Sequence, residues 1–198
     1  MSVLSTQDTL FIKGGPLYFL KCRITGTVDY ICGNGPAWFD GCELVFLDRG
    51  PGQGGVLTAN NCTQNERYGF VFNHCTVTGA SNTIGHCWLG RPWGTFSWAS
   101  VTFLKCKMDG SIAALGWLPW DMTTPDPNAR FGEYGTMDKN DSPVNLSQRA
   151  GHSQGWNNAA ILTDSQASTF NLANVLGSWK PSYAFDGAAR HSGTSQRW

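Results

Sequence analysis

Three short clusters in this 198-residue chain set carboxylates, an amide and an arginine among glycines and aromatics. They are Gln7-Asp8-Thr9-Leu10, Gly26-Thr27-Val28-Asp29-Tyr30-Ile31-Cys32-Gly33 and Leu89-Gly90-Arg91-Pro92-Trp93. Asp8 and Asp29 stand 21 residues apart. If that interval is one turn of a coil, the two carboxylates stack on neighbouring strands, about 5 Å apart. Two carboxylates in one site titrate at different pH, because like charge and burial push their pKa values apart. One can then act as nucleophile and the other as general acid. Asp29 lies between Val28 and Tyr30, a strand position with apolar flanks. A carboxylate there is costly to bury without a cation or hydrogen bonds. Arg91, held by Pro92 and shielded by Trp93, is the candidate cation.

A repeat supplies the coil. Leu17 to Gly26, Ala37 to Phe46, Phe70 to Gly79 and Val101 to Gly110 resemble one another. Each has an aromatic at its third position (Phe19, Phe39, Phe72, Phe103), a cysteine at its sixth (Cys22, Cys42, Cys75, Cys106) and an apolar residue two further on. The cysteines advance by 20, 33 and 31 residues. A step of 20 fits one turn of a parallel β-helix, and the longer steps fit the same turn with loops inserted. Phe19, Cys22 and Ile24 cannot all obey strand alternation, so a bend is expected between Phe19 and Cys22. The four repeat cysteines read as small buried side chains stacked inside successive coils. Cys32, Cys62 and Cys87 lie off the repeat, and a disulfide among them stays open. With seven cysteines, a complete disulfide framework needs a partner. No CxxC pair is present to suggest zinc.

Composition agrees. Lys plus Arg and Asp plus Glu number 14 each, only 14% of residues are charged, and 41% are hydrophobic. Such a neutral chain is a poor partner for nucleic acid or an anionic membrane. No apolar run approaches the roughly 20 residues that span a bilayer. High aromatic content with low charge argues against disorder. Glycines at 24, tryptophans at nine and cysteines at seven suit a turn-rich β protein with aromatic surfaces for flat ligands.

Short β segments run from about residue 17 to 120. Asp121 to Asn158 reads as loops on one face. Asn157 to Phe170 has helical potential, with Thr163 and Asp164 as caps. Residues 1–185 are read as one β-helix domain and 186–198 as a flexible tail. No signal peptide is visible at Met1.

These residues resemble the pectin methylesterases, carbohydrate esterases with a right-handed parallel β-helix fold. The three clusters each match a family signature. So, more weakly, do Leu57-Thr58-Ala59, Gly69 to Phe72, Gly116-Trp117 and Phe131 to Gly135. The resemblance covers about Ser5 to Tyr183, in matching order and spacing. It implies an all-β parallel β-helix with long loops and a short C-terminal helical or extended segment. It implies that Asp29 is the nucleophile at the C6 methyl ester of galacturonate. Asp8 would be the acid that protonates methanol and then the base that activates water. Gln7 would be an oxyanion donor and Arg91 the partner of Asp29. Trp93, Trp117 and Tyr30 would line the sugar cleft. No metal or cofactor is implied. The implied partner is methylated homogalacturonan, and the implied location is extracellular.

Family catalytic domains carry further coils before the Gln-Asp-Thr-Leu motif, including a second oxyanion glutamine. The chain therefore reads as N-terminally truncated relative to the family, with self-association through its open first coil as one consequence. Two rivals follow: a weak or inactive β-helix that binds pectin, and a β-helix pectate lyase or polygalacturonase. No Gly-x-Ser-x-Gly elbow supports an α/β-hydrolase esterase.

Overall fold

The computed structural model describes residues 1–121, 126–149 and 159–182. The proposed tail and part of the Asp121–Asn158 loop region, Trp156 included, lie outside these residues. Among the described residues, sixteen short strands form three sheets. The first joins β1 (Ser2–Leu4), β4 (Arg23–Gly26), β7 (Glu43–Phe46), β10 (Thr76–Gly79), β13 (Lys107–Met108) and β15 (Met137–Asp138). The second joins β2 (Leu10–Ile12), β5 (Val28–Gly33), β8 (Val56–Asn60) and β11 (Trp88–Pro92). The third joins β3 (Leu17–Leu20), β6 (Ala37–Asp40), β9 (Phe70–Asn73), β12 (Ser100–Leu104), β14 (Arg130–Tyr134) and β16 (Ala159–Ile161). Every pairing between these strands is parallel, and successive coils add one strand at a time to each sheet, the second sheet ending at β11. The architecture is a parallel β-helix.

The repeat seen in the sequence is the register of the coils. Phe19 pairs with Phe39, Phe39 with Phe72, and Phe72 with Phe103. Their rings form a continuous stack inside the helix, with centroids 4.6, 4.5 and 4.5 Å apart and planes within 17° of parallel. The cysteines form a second column beside it. The Cys42 thiol donates to Phe19 O, that of Cys75 to Phe39 O, and that of Cys106 to Phe72 O, at 3.3 to 3.4 Å. Each thiol thus ties its coil to the ring-bearing residue of the coil before. All seven cysteines are free and buried, so none forms the disulfide left open above.

The bend expected between Phe19 and Cys22 is a left-handed residue. Lys21, Gly41, His74, Lys105 and Gly135 all have φ between 47° and 62° and occupy the same corner of successive coils. The N–H groups of Lys21, Gly41, His74 and Lys105 donate across to the next coil; Lys21 N, for example, reaches Asp40 O at 2.8 Å. A single left-handed residue turns the chain sharply and lets alternation restart on the next strand.

The fifth coil departs from the repeat. Glu133 stands opposite Phe103, and Thr136 takes the place of the cysteine. Glu133 is 1% exposed, and Arg149 neutralises it through Nε–Oε1 and Nη2–Oε2 contacts of 2.7 and 3.2 Å. The same guanidinium donates to the carbonyls of Ala113 and Ala114. A charge is tolerated in this interior because it is paired and fully hydrogen-bonded. The ring stack is diverted onto Trp117 and Phe131, 4.4 Å apart.

Near the end of the described chain, the expected helix begins later than its sequence pattern. Ala159–Ile161 is strand β16, and helix α1 spans Asp164–Ser168. Thr163 is its N-cap, in a reciprocal capping box with Gln166, and Asp164 is the first helical residue instead of a cap. A second short helix, α2 (Leu172–Leu176), packs with it over Trp38, Val71 and Leu104 on the third sheet.

Phe72 is fully buried between two rings. Truncating Phe72→Ala is expected to cost about 3–5 kcal/mol, the transfer free energy plus the cavity left in the stack. Urea unfolding of both proteins measures it; a loss below about 1 kcal/mol would mean that the stack is not a packed core.

Candidate active site

The second sheet carries the site. Its strands pair Leu10 with Ile31, Ile31 with Thr58, and Thr58 with Gly90. Asp8 and Asp29 therefore occupy equivalent points of adjacent coils, as the 21-residue interval predicts. Both are left-handed, with φ of 50° and 52°. Asp8 N–H donates to Val28 O at 3.2 Å, which fastens one corner on the other. The register of β5 against β8 slips between Val28 and Ile31. This bulge gives Asp29 and Tyr30 one partner position between them, and bulges of this kind re-aim side chains beside functional sites.

The slip explains an outcome that the sequence reading did not expect. Tyr30 is fully buried and meets Phe46 edge-on at 5.3 Å. It packs the core and does not line the cleft. Gly26 makes room for it, since a Cβ there would sit 2.2 Å from Tyr30 Cβ.

Trp117 is also corrected. It is 2% exposed and stacked on Phe131 in the interior. It bridges to Gly90, and a Cβ at Gly90 would come within 3.3 Å of its ring and 2.1 Å of Thr58 Oγ1. The glycine of the Leu-Gly-Arg-Pro-Trp motif thus leaves the space that draws Trp117 inward.

The other predicted residues converge. Gln7, Asp8, Asp29, Arg91 and Trp93 line one pocket of about 160 Å³, together with Cys32, Ala59 and Trp120. Arg91 grips Asp29 at both oxygens, Nε to Oδ1 at 3.0 Å and Nη2 to Oδ2 at 2.5 Å. Such a bidentate clamp fixes the carboxylate plane as well as its charge. Asp29 is 6% exposed, whereas Asp8 and Gln7 are exposed. Trp93 is 39% exposed and meets Phe11 edge-on at 6.1 Å. Cys32, Ala59 and Arg91 share a register position, so two small side chains form the pocket floor between Phe11 and the guanidinium.

The electrostatics are uneven. Burial pushes the Asp29 carboxyl above its ordinary value; the Arg91 hydrogen bonds and charge pull it back, and the Asp8 charge raises it again. Burial, reinforced by both carboxylates, also pushes the Cys32 thiol up to about 11, so at neutral pH it is a neutral filler.

A larger hollow of about 400 Å³ lies between Asp109, Asp138 and Arg149. Its carboxylates are already engaged: Asp109 accepts from Gly79 N and Ser111 N, and Asp138 from Asn140 N and Ser142 N. The smaller pocket instead sets the exposed Asp8 beside the clamped Asp29.

The pectinesterase family model matches residues 1–178. The chain belongs to the pectinesterase family. It is 31% identical over 175 residues to probable pectinesterase/pectinesterase inhibitor 19 of Arabidopsis thaliana, covering 86% of this chain and 32% of that protein. It is 34% identical over 131 residues to pectinesterase 31 of the same plant, covering 66% of this chain and 39% of the relative. Pectin methylesterase PemA from Erwinia chrysanthemi superposes with a TM-score of 0.71 at 30% identity, over 91% of this chain and 56% of that one. The carrot pectin methylesterase gives 0.76 at 26%, over 90% and 56%. A pectin methylesterase solved in complex with a hexasaccharide gives 0.69 at 29%, over 91% and 56%. The chain thus spans about a third of the length of the first curated relatives and just over half of the solved enzymes.

Sequence reasoning missed Trp120 and Phe11 as site residues. Phe11 directly follows the Gln-Asp-Thr-Leu cluster in an outward strand position. Trp120 gave no signal beyond standing three residues after Trp117.

The raised Asp29 carboxyl has a consequence for stability. The folded state holds this proton more tightly than the unfolded chain, so the contribution is full below the unfolded value, near 3.9, and is lost as pH rises through the folded one. Asp29→Asn removes this titration. Its melting temperature relative to the wild type is expected to rise between pH 3 and pH 7. A relative fall would mean that Arg91 outweighs burial.

Proposed function

We propose that this chain hydrolyses the C6 methyl esters of pectin through an aspartyl acyl-enzyme, releasing methanol. The observation that carries the reading is the buried Asp29, clamped at both oxygens by Arg91 and stacked one coil from the exposed Asp8. Membership of the pectinesterase family supports the reaction class, and the hexasaccharide held by a related enzyme supports a sugar-polymer ligand.

The family resemblance and this geometry together support the following steps. Arg91 orients Asp29, and one carboxylate oxygen attacks the ester carbonyl carbon. The oxyanion of the tetrahedral intermediate accepts a hydrogen bond from the Gln7 amide. The carbon–methoxy bond breaks, and Asp8 gives its proton to the departing methanol. The product is an anhydride between Asp29 and the galacturonate. Asp8, now ionised, takes a proton from water as the water attacks that anhydride, restoring both carboxyl groups. Trp93 and Phe11 offer aromatic faces for sugar rings at the pocket rim. These steps use only side chains of this chain. The extracellular location read from the resemblance fits a polymer of the plant cell wall.

Methanol release from highly methylated pectin tests the reading. Asp29→Ala is expected to abolish release, and Gln7→Ala to reduce turnover by about 10²–10³. Arg91→Lys is expected to lose much of the activity, because an ammonium cannot make the two-point clamp. The acid limb of kcat/KM should lie above the ordinary aspartate value near 3.9, because Asp29 attacks only as the carboxylate. Equal release by wild type and Asp29→Ala would leave the pectin-binding reading. Chain shortening, or unsaturated ends formed with calcium, would favour the depolymerase.

A further inference from the structure

Arg91 uses its edge on Asp29 and its face elsewhere. The Trp120 ring lies over the guanidinium, with Cζ 4.7 Å from the ring centroid. Trp120 is itself anchored. Its backbone N–H donates to Asp126 Oδ2 at 3.0 Å, and Asp126 is only 2% exposed. The Phe96 backbone hydrogen-bonds the same carboxylate. The approach of the chain is fixed as well. Trp117 bridges Gly90 and Leu118 N–H donates to Gly90 O at 3.0 Å, so the residues that follow run alongside Arg91 to Trp93. Trp120, 37% exposed, covers the guanidinium on one side and meets solvent on the other.

We propose that Trp120 is a positioning residue for Arg91, holding the guanidinium flat and shielding one face from water so that its edge keeps both oxygens of Asp29. A guanidinium is planar and weakly hydrated, so it accepts an indole on its face while its N–H groups point at a carboxylate in its own plane. The attraction to the ring strengthens as the pair is desolvated, and indole is the best ring for it. A cation free to rotate would trade one of its two hydrogen bonds to Asp29 for water. The catalytic consequence rests on the esterase reading above; the contact itself does not.

The test therefore reads the contact first. In the wild type, the Arg91 Nε–H resonance is expected upfield, shielded by the indole ring current. Trp120→Leu, which keeps an apolar cover without a ring, is expected to abolish that shift. Trp120→Phe should retain part of it. The Asp29 carboxyl is followed by carbon-13 titration, with Asp29→Asn assigning the signal. The groups facing it are Arg91 from β11, Asp8 from the turn before β2 and the Cys32 thiol on its own strand. Asp8→Asn removes the other carboxyl signal of the pocket. Trp120→Leu is expected to move the Asp29 midpoint, and Trp120→Phe to move it less. With methylated pectin, Trp120→Leu should lower kcat about fivefold with a smaller change in KM, the loss of one partly exposed cation–π contact. Thermal unfolding checks that each variant is folded, and Trp120→Phe is the milder change should Trp120→Leu unfold. An unshifted Arg91 resonance in the wild type overturns the proposal, as does an unmoved Asp29 midpoint in folded Trp120→Leu. A rise in KM alone would make Trp120 a sugar platform and also overturn it. If even the wild type releases no methanol, the esterase reading fails while the resonance and titration still decide the role of Trp120.

Discussion

Parallel stacking of coils in fixed register is the constraint on which everything else here depends. One strand must lie on the same strand of the next coil, because backbone N–H and C=O groups inside the sheets have no other partners. Once Phe19, Phe39, Phe72 and Phe103 are stacked, a slip of one residue would turn every ring outward and every polar neighbour inward. The cysteines reinforce the same register by donating to the carbonyl of the ring-bearing residue one coil back. A set of rings and thiols on one wall thus fixes where the second sheet must place its residues. The alignment of Asp8 with Asp29 is a consequence of that packing, with no direct bond between their side chains required.

The site then works against the scaffold that builds it. A regular strand would alternate through residues 28 to 33 and could not supply both an outward carboxylate and two consecutive core side chains. The bulge at Asp29 and Tyr30 resolves this, at the cost of a left-handed aspartate and a tyrosine hydroxyl with no hydrogen-bond partner. Burial of Asp29 would by itself favour the neutral acid. Arg91 offsets part of that penalty without cancelling it, and its two hydrogen bonds hold the carboxyl group in one plane in a buried setting. Poor hydration makes a carboxylate a better attacking group than it is in water. Asp8, at the equivalent corner of the coil before, stays exposed to solvent.

Much of this was legible in the sequence because it depends on intervals. The 20-residue step between Cys22 and Cys42 is a coil, and the 21-residue step from Asp8 to Asp29 is the same coil read at the site. Residue types with a single compensating partner were legible too: an aspartate between apolar neighbours needs a cation, and Arg91 is that cation. The fifth coil was not legible, because Glu133 and Thr136 replace the phenylalanine and cysteine that marked the others. Its partner Arg149 lies 16 residues away, outside any local pattern. The strand at Ala159–Ile161 was hidden for a related reason. Small residues before a good capping box read as helix until a neighbouring strand, β14, offers its edge.

The tryptophans show why aromatic positions near a motif are the hardest to assign from sequence. Trp117 and Trp120 are three residues apart in the same irregular segment, yet one enters the core and the other covers the site. Nothing in their immediate neighbours distinguishes them. The distinction is made by Gly90, 27 residues earlier, whose missing side chain opens a hole in the second sheet. Trp117 fills that hole because it bridges Gly90 directly. With the register set there, the chain continues in step with β11, and the next tryptophan arrives over Arg91. The Leu-Gly-Arg-Pro-Trp motif therefore does two jobs with adjacent residues. Its arginine supplies the charge that orients Asp29, and its glycine determines which aromatic side chain stands over that charge.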